Sequence, residues 1–151
     1  MSDNVLRLIP LEPEWVPDPQ VGENARRLLQ RLLPEASQVT IEVQDHVGFV
    51  DQGANFESVG CPACGASLDV GWWQAAMEKA MESQFADLAV SPPCCGARTS
   101  LNDLRYVWPA GFARFSLEAM NPNRSGDLDP AEIGQLEALL GCKLRQIWAH
   151  Y

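Results

Sequence analysis

Apolar and polar positions fall into two passages of the same order, one toward each end of the chain. The first opens with a short apolar run from Val5 to Leu11. A stretch of helical spacing then sets Ala25, Leu28, Leu29, Leu32 and Leu33 on one side and Arg26, Arg27 and Arg31 on the other, which predicts an amphipathic helix. Val39, Ile41 and Val43 next alternate with Thr40, Glu42 and Gln44, the period of two expected of a strand with one buried face. In the second passage Ala113, Phe115, Leu117 and Ala119 alternate with Arg114, Ser116 and Glu118. Ile133, Leu136, Leu139 and Leu140 then keep helical spacing as far as Gly141, and a last strand is expected from about Lys143 to Tyr151. Asp18-Pro19 and Asp129-Pro130 mark the two helix starts. An aspartate there accepts from an orphan N–H of the first turn, and proline at the first helical position gives up no helical hydrogen bond.

Strand, helix, strand, twice over, can share one sheet with both helices on one face, as in split βαβ arrangements. The pattern resembles the ferredoxin-like architecture. That resemblance implies an α+β fold over 1–151, a single domain of two βαβ-like halves with a middle insertion at about 45–108. Within the insertion, Phe49 to Phe56 suggests a hairpin turning near Gly53. Trp73, Met77, Met81, Phe85 and Leu88 form the stripe of an amphipathic helix, with Glu78, Lys79 and Glu82 off it. Such a stripe serves a core more often than a partner groove.

Two cysteine pairs bracket that helix: Cys61-Pro62-Ala63-Cys64-Gly65 and, 29 residues after Cys64, Pro93-Cys94-Cys95-Gly96. Two residues between thiolates let one tight turn present both sulfurs to one ion. The first stretch resembles the Cys-Pro-x-Cys-Gly knuckle of zinc-ribbon proteins, which implies one structural Zn²⁺ held by Cys61, Cys64, Cys94 and Cys95. The second pair is adjacent, where a ribbon has Cys-x-x-Cys. Adjacent cysteines reach one ion only if the backbone turns sharply, as Pro92, Pro93 and Gly96 favour. The other set open is three cysteines completed by His46, Asp45 or Asp51. Cys-x-x-Cys also serves thiol–disulfide exchange when it opens a helix, but Ala66 to Val70, between Gly65 and Gly71, is a poor helix start. Four cysteines saturate a zinc ion and leave no place for the water of a catalytic site. The nearest acid–base candidates, His46 and Glu57, have no spacing that ties them to the metal. Cys142 has no partner by spacing and is expected to pack as a small apolar residue.

Charge narrows the partners. With 11 Lys and Arg against 20 Asp and Glu, the formal net charge is −9, which opposes binding to nucleic acid or to an anionic membrane. The stretch Met1-Ser2-Asp3-Asn4 does not read as the start of a signal peptide, and no apolar run reaches spanning length. Five cysteines without an export signal suggest a reducing, cytoplasmic setting. Asn121 to Glu132 is similar to the calcium loop of EF-hands, with Asn121, Asn123, Ser125, Asp129 and Glu132 at liganding positions and Gly126 at the sixth. Pro122 and the strand-like alternation before it favour instead a strand-to-helix turn capped by Asp129 and Glu132. The expectation is a small, acidic structural-zinc protein that acts as a non-enzymatic protein-binding, regulatory or inhibitory module. Its partner would be another protein, a basic one on charge grounds, met by Trp72, Trp73 or Trp108 where these are exposed. The alternatives are a thiol-redox or zinc-dependent enzyme and, against the charge, a nucleic-acid-binding zinc ribbon.

Overall fold

Both end passages fold as strand, helix, strand in a computed structural model, which describes residues 2–151. The first comprises β1 (Asn4–Pro10), α1 (Pro19–Leu32) and β2 (Gln38–Val50). Between them and the second passage lie β3 (Ser58–Gly60), α2 (Val70–Met81), β4 (Ala89–Val90), β5 (Thr99–Ser100), a 3₁₀ turn (Leu101–Asp103) and β6 (Arg105–Val107). The second passage is β7 (Gly111–Met120), α3 (Pro130–Leu140) and β8 (Leu144–His150). The helices start where the caps predict: Asp18 accepts from the Gln20 N–H, and Asp129 and Glu132 form a reciprocal capping box.

The long strands make one sheet in the order β2-β7-β1-β8, each neighbouring pair antiparallel. The two strands of each passage are therefore kept apart by one strand of the other. Ala25, Leu29 and Leu33, from α1 and its C-cap, share a core with Leu136 and Leu140 of α3 and with Leu6, Leu8, Phe115 and Leu117 of the sheet. Each fully buried leucine contributes about 1.5–3 kcal/mol. Leu139, expected inside, is 38% exposed, because Leu136 and Leu140, one turn apart, already fill the seam.

Alternation along the strands turns Val5, Ile9, Ile147 and Ala149 to the opposite face, and all four are buried. The middle passage bonds to β8 beside them. Ala54 N–H donates to the His150 carbonyl at 2.8 Å and Asn55 Nδ2 donates to the Trp148 carbonyl at 3.1 Å. Arg145 Nη1 donates to the carbonyls of Asn102 and Ala110 at 2.9 and 3.0 Å. The middle has a core of its own, which includes Val59, Leu68, Leu101, Leu104, Tyr106 and Phe112.

Three stretches depart from the sequence pattern. Residues 49–56 form no hairpin: β2 runs on to Val50, opposite Gly111 of β7, and the chain then crosses to His150. A strand already paired along its length needs no local mate. Within β2 the register jumps from Val43↔Phe115 to Gly48↔Ala113. This bulge leaves Val43 51% exposed and carries Val47 into the second core. Finally, α2 stops at Met81, which is 61% exposed. Ser83 Oγ donates to the Ala80 carbonyl and accepts from Asp87 N–H, a local competitor for the helical ladder. Gln84 and Phe85 then take left-handed φ of 54° and 59°. Phe85 and Leu88 still pack on the second core, delivered by a turn rather than by a helix face. Among the described residues no helix is long and apolar enough to cross a membrane.

Candidate metal centre

Strand β3 delivers Cys61 to the edge of the second core, and the chain then folds back on itself. Cys61 N–H donates to the Ala66 carbonyl and Gly65 N–H to the Cys61 carbonyl, both at 2.9 Å. Gly65 sits at φ +77°, where a side chain would be strained. The second cysteine pair lies on a turn of the same kind. Gly96 N–H donates to the Pro92 carbonyl at 2.9 Å, and Gly96 has φ +69°. Cys95 thus precedes its glycine as Cys64 precedes Gly65. The place held by Cys61 in the first turn is held by buried Pro92 in the second. The missing thiol is supplied by Cys94, two residues on. A sharp turn therefore does bring adjacent cysteines to one point, and Pro92 instead anchors its turn. The signal was present in the sequence as equal spacing, Cys61 to Gly65 and Pro92 to Gly96, and it was obscured by the change of residue type.

The four sulfurs lie within 4.8 Å of one another. Cys64 Sγ is 3.4 Å from Cys94 Sγ, Cys61 Sγ is 3.8 Å from Cys95 Sγ, and the two adjacent sulfurs are 4.0 Å apart. A tetrahedron of thiolates about 2.3 Å from zinc has edges of about 3.8 Å. The cluster brackets that figure, so its donor set and size fit a divalent, thiophilic ion. Cys61 is fully buried and the other three are exposed.

Ionisation within the cluster is uneven. Backbone N–H groups of Cys64 and Ala63 face the Cys61 sulfur and lower its pKa to about 7. The Cys64 thiol, burial and the Cys61 sulfur push Cys94 up to about 12. At Cys95 the Ala97 N–H favours the thiolate, but partial desolvation and the Cys61 and Cys64 sulfurs outweigh it and the pKa is raised. Like charges this close cannot all form unaided. A divalent cation supplies what is lacking, and its binding displaces the remaining protons.

Among the described residues, no carboxylate or imidazole joins the group. His46 sits in the β2 bulge with Nδ1 3.1 Å from the Val47 carbonyl. Asp51 accepts from the Tyr151 hydroxyl at 2.9 Å and from Gly53 N–H at 3.2 Å. Asp45 and Glu57 are exposed elsewhere, and Cys142 is half-buried apart from the cluster. Under the cysteines, Trp73 Nε1 donates to the Tyr106 hydroxyl at 3.2 Å, which donates to the Leu101 carbonyl at 2.7 Å. Trp73 is thus a core residue that ties α2 to the 3₁₀ turn. Trp72 is half-buried, and Trp108 is 42% exposed.

In the 121–132 loop the oxygens of Asn121, Asp129 and Glu132 that would hold calcium have protein partners. Glu132 takes two donors from Arg124 and one from Asp129 N–H. Asn121 bonds Asn4 and Asp3, and Asn123 Nδ2 bonds Glu35. The loop is a capped turn into α3. Comparison of the chain with protein-family models, with curated proteins and with solved structures gives no match.

Proposed function

We propose that this is a small structural-zinc protein, zinc-ribbon-like at its first cysteine knuckle, that works as a non-enzymatic protein-binding or regulatory module. The convergence of four sulfurs to within 4.8 Å carries the reading. Cys61, Cys64, Cys94 and Cys95 are its ligands. Four thiolates complete the coordination of zinc and leave no site for a reacting water. The ion would join two turns from either side of α2, in a passage whose strands are only two or three residues long. A metal stabilises such a passage by closing it. Reduced thiols support a cytoplasmic setting, and the net charge of −9 supports a basic protein partner over a nucleic acid. We also read the chain as one domain with a ferredoxin-like frame. The strand order β2-β7-β1-β8 supports that frame, and the bonds from the middle passage to β8 support the single domain.

Elemental analysis of protein purified without chelator tests the metal and should give about one zinc per chain. Cobalt in its place should show the intense bands of tetrahedral thiolate coordination; no bound metal, or weak octahedral bands, would overturn the assignment. The thiol-redox alternative would draw on the N–H groups of Cys64 and Ala63 that face the Cys61 sulfur and favour its thiolate. Alkylation of the metal-loaded protein separates the two readings. Cluster thiols that stay unreactive support the structural role, whereas rapid modification at the exposed Cys64, Cys94 or Cys95 supports the enzyme.

A further inference from the structure

A cleft of about 900 Å³, within the range of small-molecule sites, lies away from the cysteines and plays no part in the metal reading. Its walls come from distant parts of the chain: the 121–127 loop after β7, Trp148 on β8, Asn4 on β1, and Trp108 and Asn55 from the middle passage. Two indole rings line it. Trp148 Nε1 donates to Asp127 Oδ1 at 2.8 Å, so that ring's one donor is spent and its orientation fixed. Trp108 is held from behind by Gln52 Nε2, which donates to its carbonyl at 3.0 Å.

The backbone here is strained. Trp108, Asn121 and Asn123 take φ of 44°, 46° and 54°, and they are three of the five non-glycine residues with positive φ among those described. A left-handed tryptophan is an unusual conformation. Strain of this kind persists where the surroundings over-determine it, and it concentrates at ligand sites.

The polar groups that the fold leaves unspent say what such a ligand looks like. Asn55 and Asn123 each commit one amide N–H, to the Trp148 carbonyl and to Glu35, which fixes the side chains and leaves two carbonyl oxygens as acceptors. Asn4 does the reverse: its oxygen meets His150 Nδ1, which leaves its amide as a donor. The Ser125 hydroxyl can do either. Of the two ionised side chains in the lining, Arg124 is paired with Glu132, and Asp127 stays an anion whose Oδ1 accepts from Trp148. A phosphate would need a free cation and would meet Asp127 instead, and an ammonium ligand, though suited to indole faces, would leave the Asn4 and Ser125 donors unmet. A pyranose ring offers C–H faces to the indoles and hydroxyls that both donate and accept. We propose that this cleft binds a neutral saccharide.

The test uses the full chain as purified, screened against a broad glycan panel and then titrated with each hit while the five tryptophan indole N–H resonances are followed by NMR. A saccharide should shift the Trp108 and Trp148 signals saturably and leave those of Trp72 and Trp73 in place. Trp108→Gly and Asn123→Gly remove one contact each at positions whose left-handed backbone glycine accepts. Each should weaken binding about tenfold, the scale of a single lost contact, while the Trp15, Trp72 and Trp73 indole signals stay at the positions of the parent protein. Three results would overturn the proposal: no saccharide bound on the panel or in titration, the same two signals moved by tetramethylammonium and by no sugar, or variants that bind as the parent does.

Discussion

Cys64 and Cys142 are both cysteines the structure leaves unbridged, and a serine in place of each asks a different question. At Cys64 the substitution keeps the size of the side chain and removes the soft donor that zinc prefers. Cys64→Ser should bring zinc below one per chain and lower the melting temperature by several degrees, since metal binding and folding are coupled. Cys142, half-buried behind α3, should tolerate serine with a cost within about 1 kcal/mol and with zinc content unchanged. Calorimetry and elemental analysis on both variants decide the matter, and equal metal loss would mean that the ligands are wrongly assigned. Glu132 gives a pH-dependent counterpart. Hydrogen bonds from Arg124 first, then from Asp129 N–H, lower its pKa. A depressed carboxylate contributes stability that is complete above its unfolded value of about 4.3 and is lost as the pH falls through the lower folded value. Glu132→Gln should therefore flatten the acid limb of the stability profile and be least costly at the lowest pH, as read by urea unfolding between neutral pH and pH 3. A variant with an unchanged acid limb would show that the pair with Arg124 contributes nothing. The cysteines were legible because thiol spacing speaks for itself. The pairing of Arg124 with Glu132 was not, because it depends on how the intervening loop closes.

Elements were legible where one local period met one environment. The caps at Asp18 and Asp129 depend on neighbours in sequence and stand as expected; along β7 Phe115, Leu117 and Ala119 are buried as expected, but so is Ser116, because this central strand is covered on both faces. The bulge in β2 arises because that strand serves two cores, and the early end of α2 because Ser83 offers its backbone another partner. Neither cause has a periodic trace. The 3₁₀ turn at Leu101–Asp103 was invisible for the same reason, although it joins the two cores. Asn102, 5% exposed, donates to the Leu11 carbonyl and accepts from Phe112 N–H and from Arg145. Asn102→Ala would strand the Leu11 carbonyl and the Phe112 N–H, while Arg145 keeps the backbone carbonyls of Asn102 and Ala110, and an unsatisfied buried polar group costs about 1–3 kcal/mol. The variant should lose about 2 kcal/mol or more in urea unfolding. A loss below 1 kcal/mol, the scale of a surface change, would mean that water replaces the side chain.

At the scale of the molecule, two cores of different character sit side by side, one under helices and one closed by thiols. Local stability need not be uniform across such a chain. Removal of metal with a chelator should open the cysteine turns first, so that trypsin cuts after the exposed Lys79 and Arg98 while backbone amides of β1 and β7 stay protected from hydrogen exchange. Simultaneous loss of protection in the sheet would show that the two cores unfold as one. The ladder between β2 and β7 gives this difference a topological meaning. Val50 and Gly111 stand opposite one another, so the sheet sees everything between them as one hairpin loop of about 60 residues. Against a two-residue turn, closing a flexible loop of that length costs about 3 kcal/mol of chain entropy. A cluster of four cysteines sized for a metal, a buried asparagine and a few bonds to β8 are what turn that liability into structure. The same geometry makes the excursion separable in principle: its two ends already meet, and a short turn between Val50 and Gly111 would leave the strand order of the sheet unchanged.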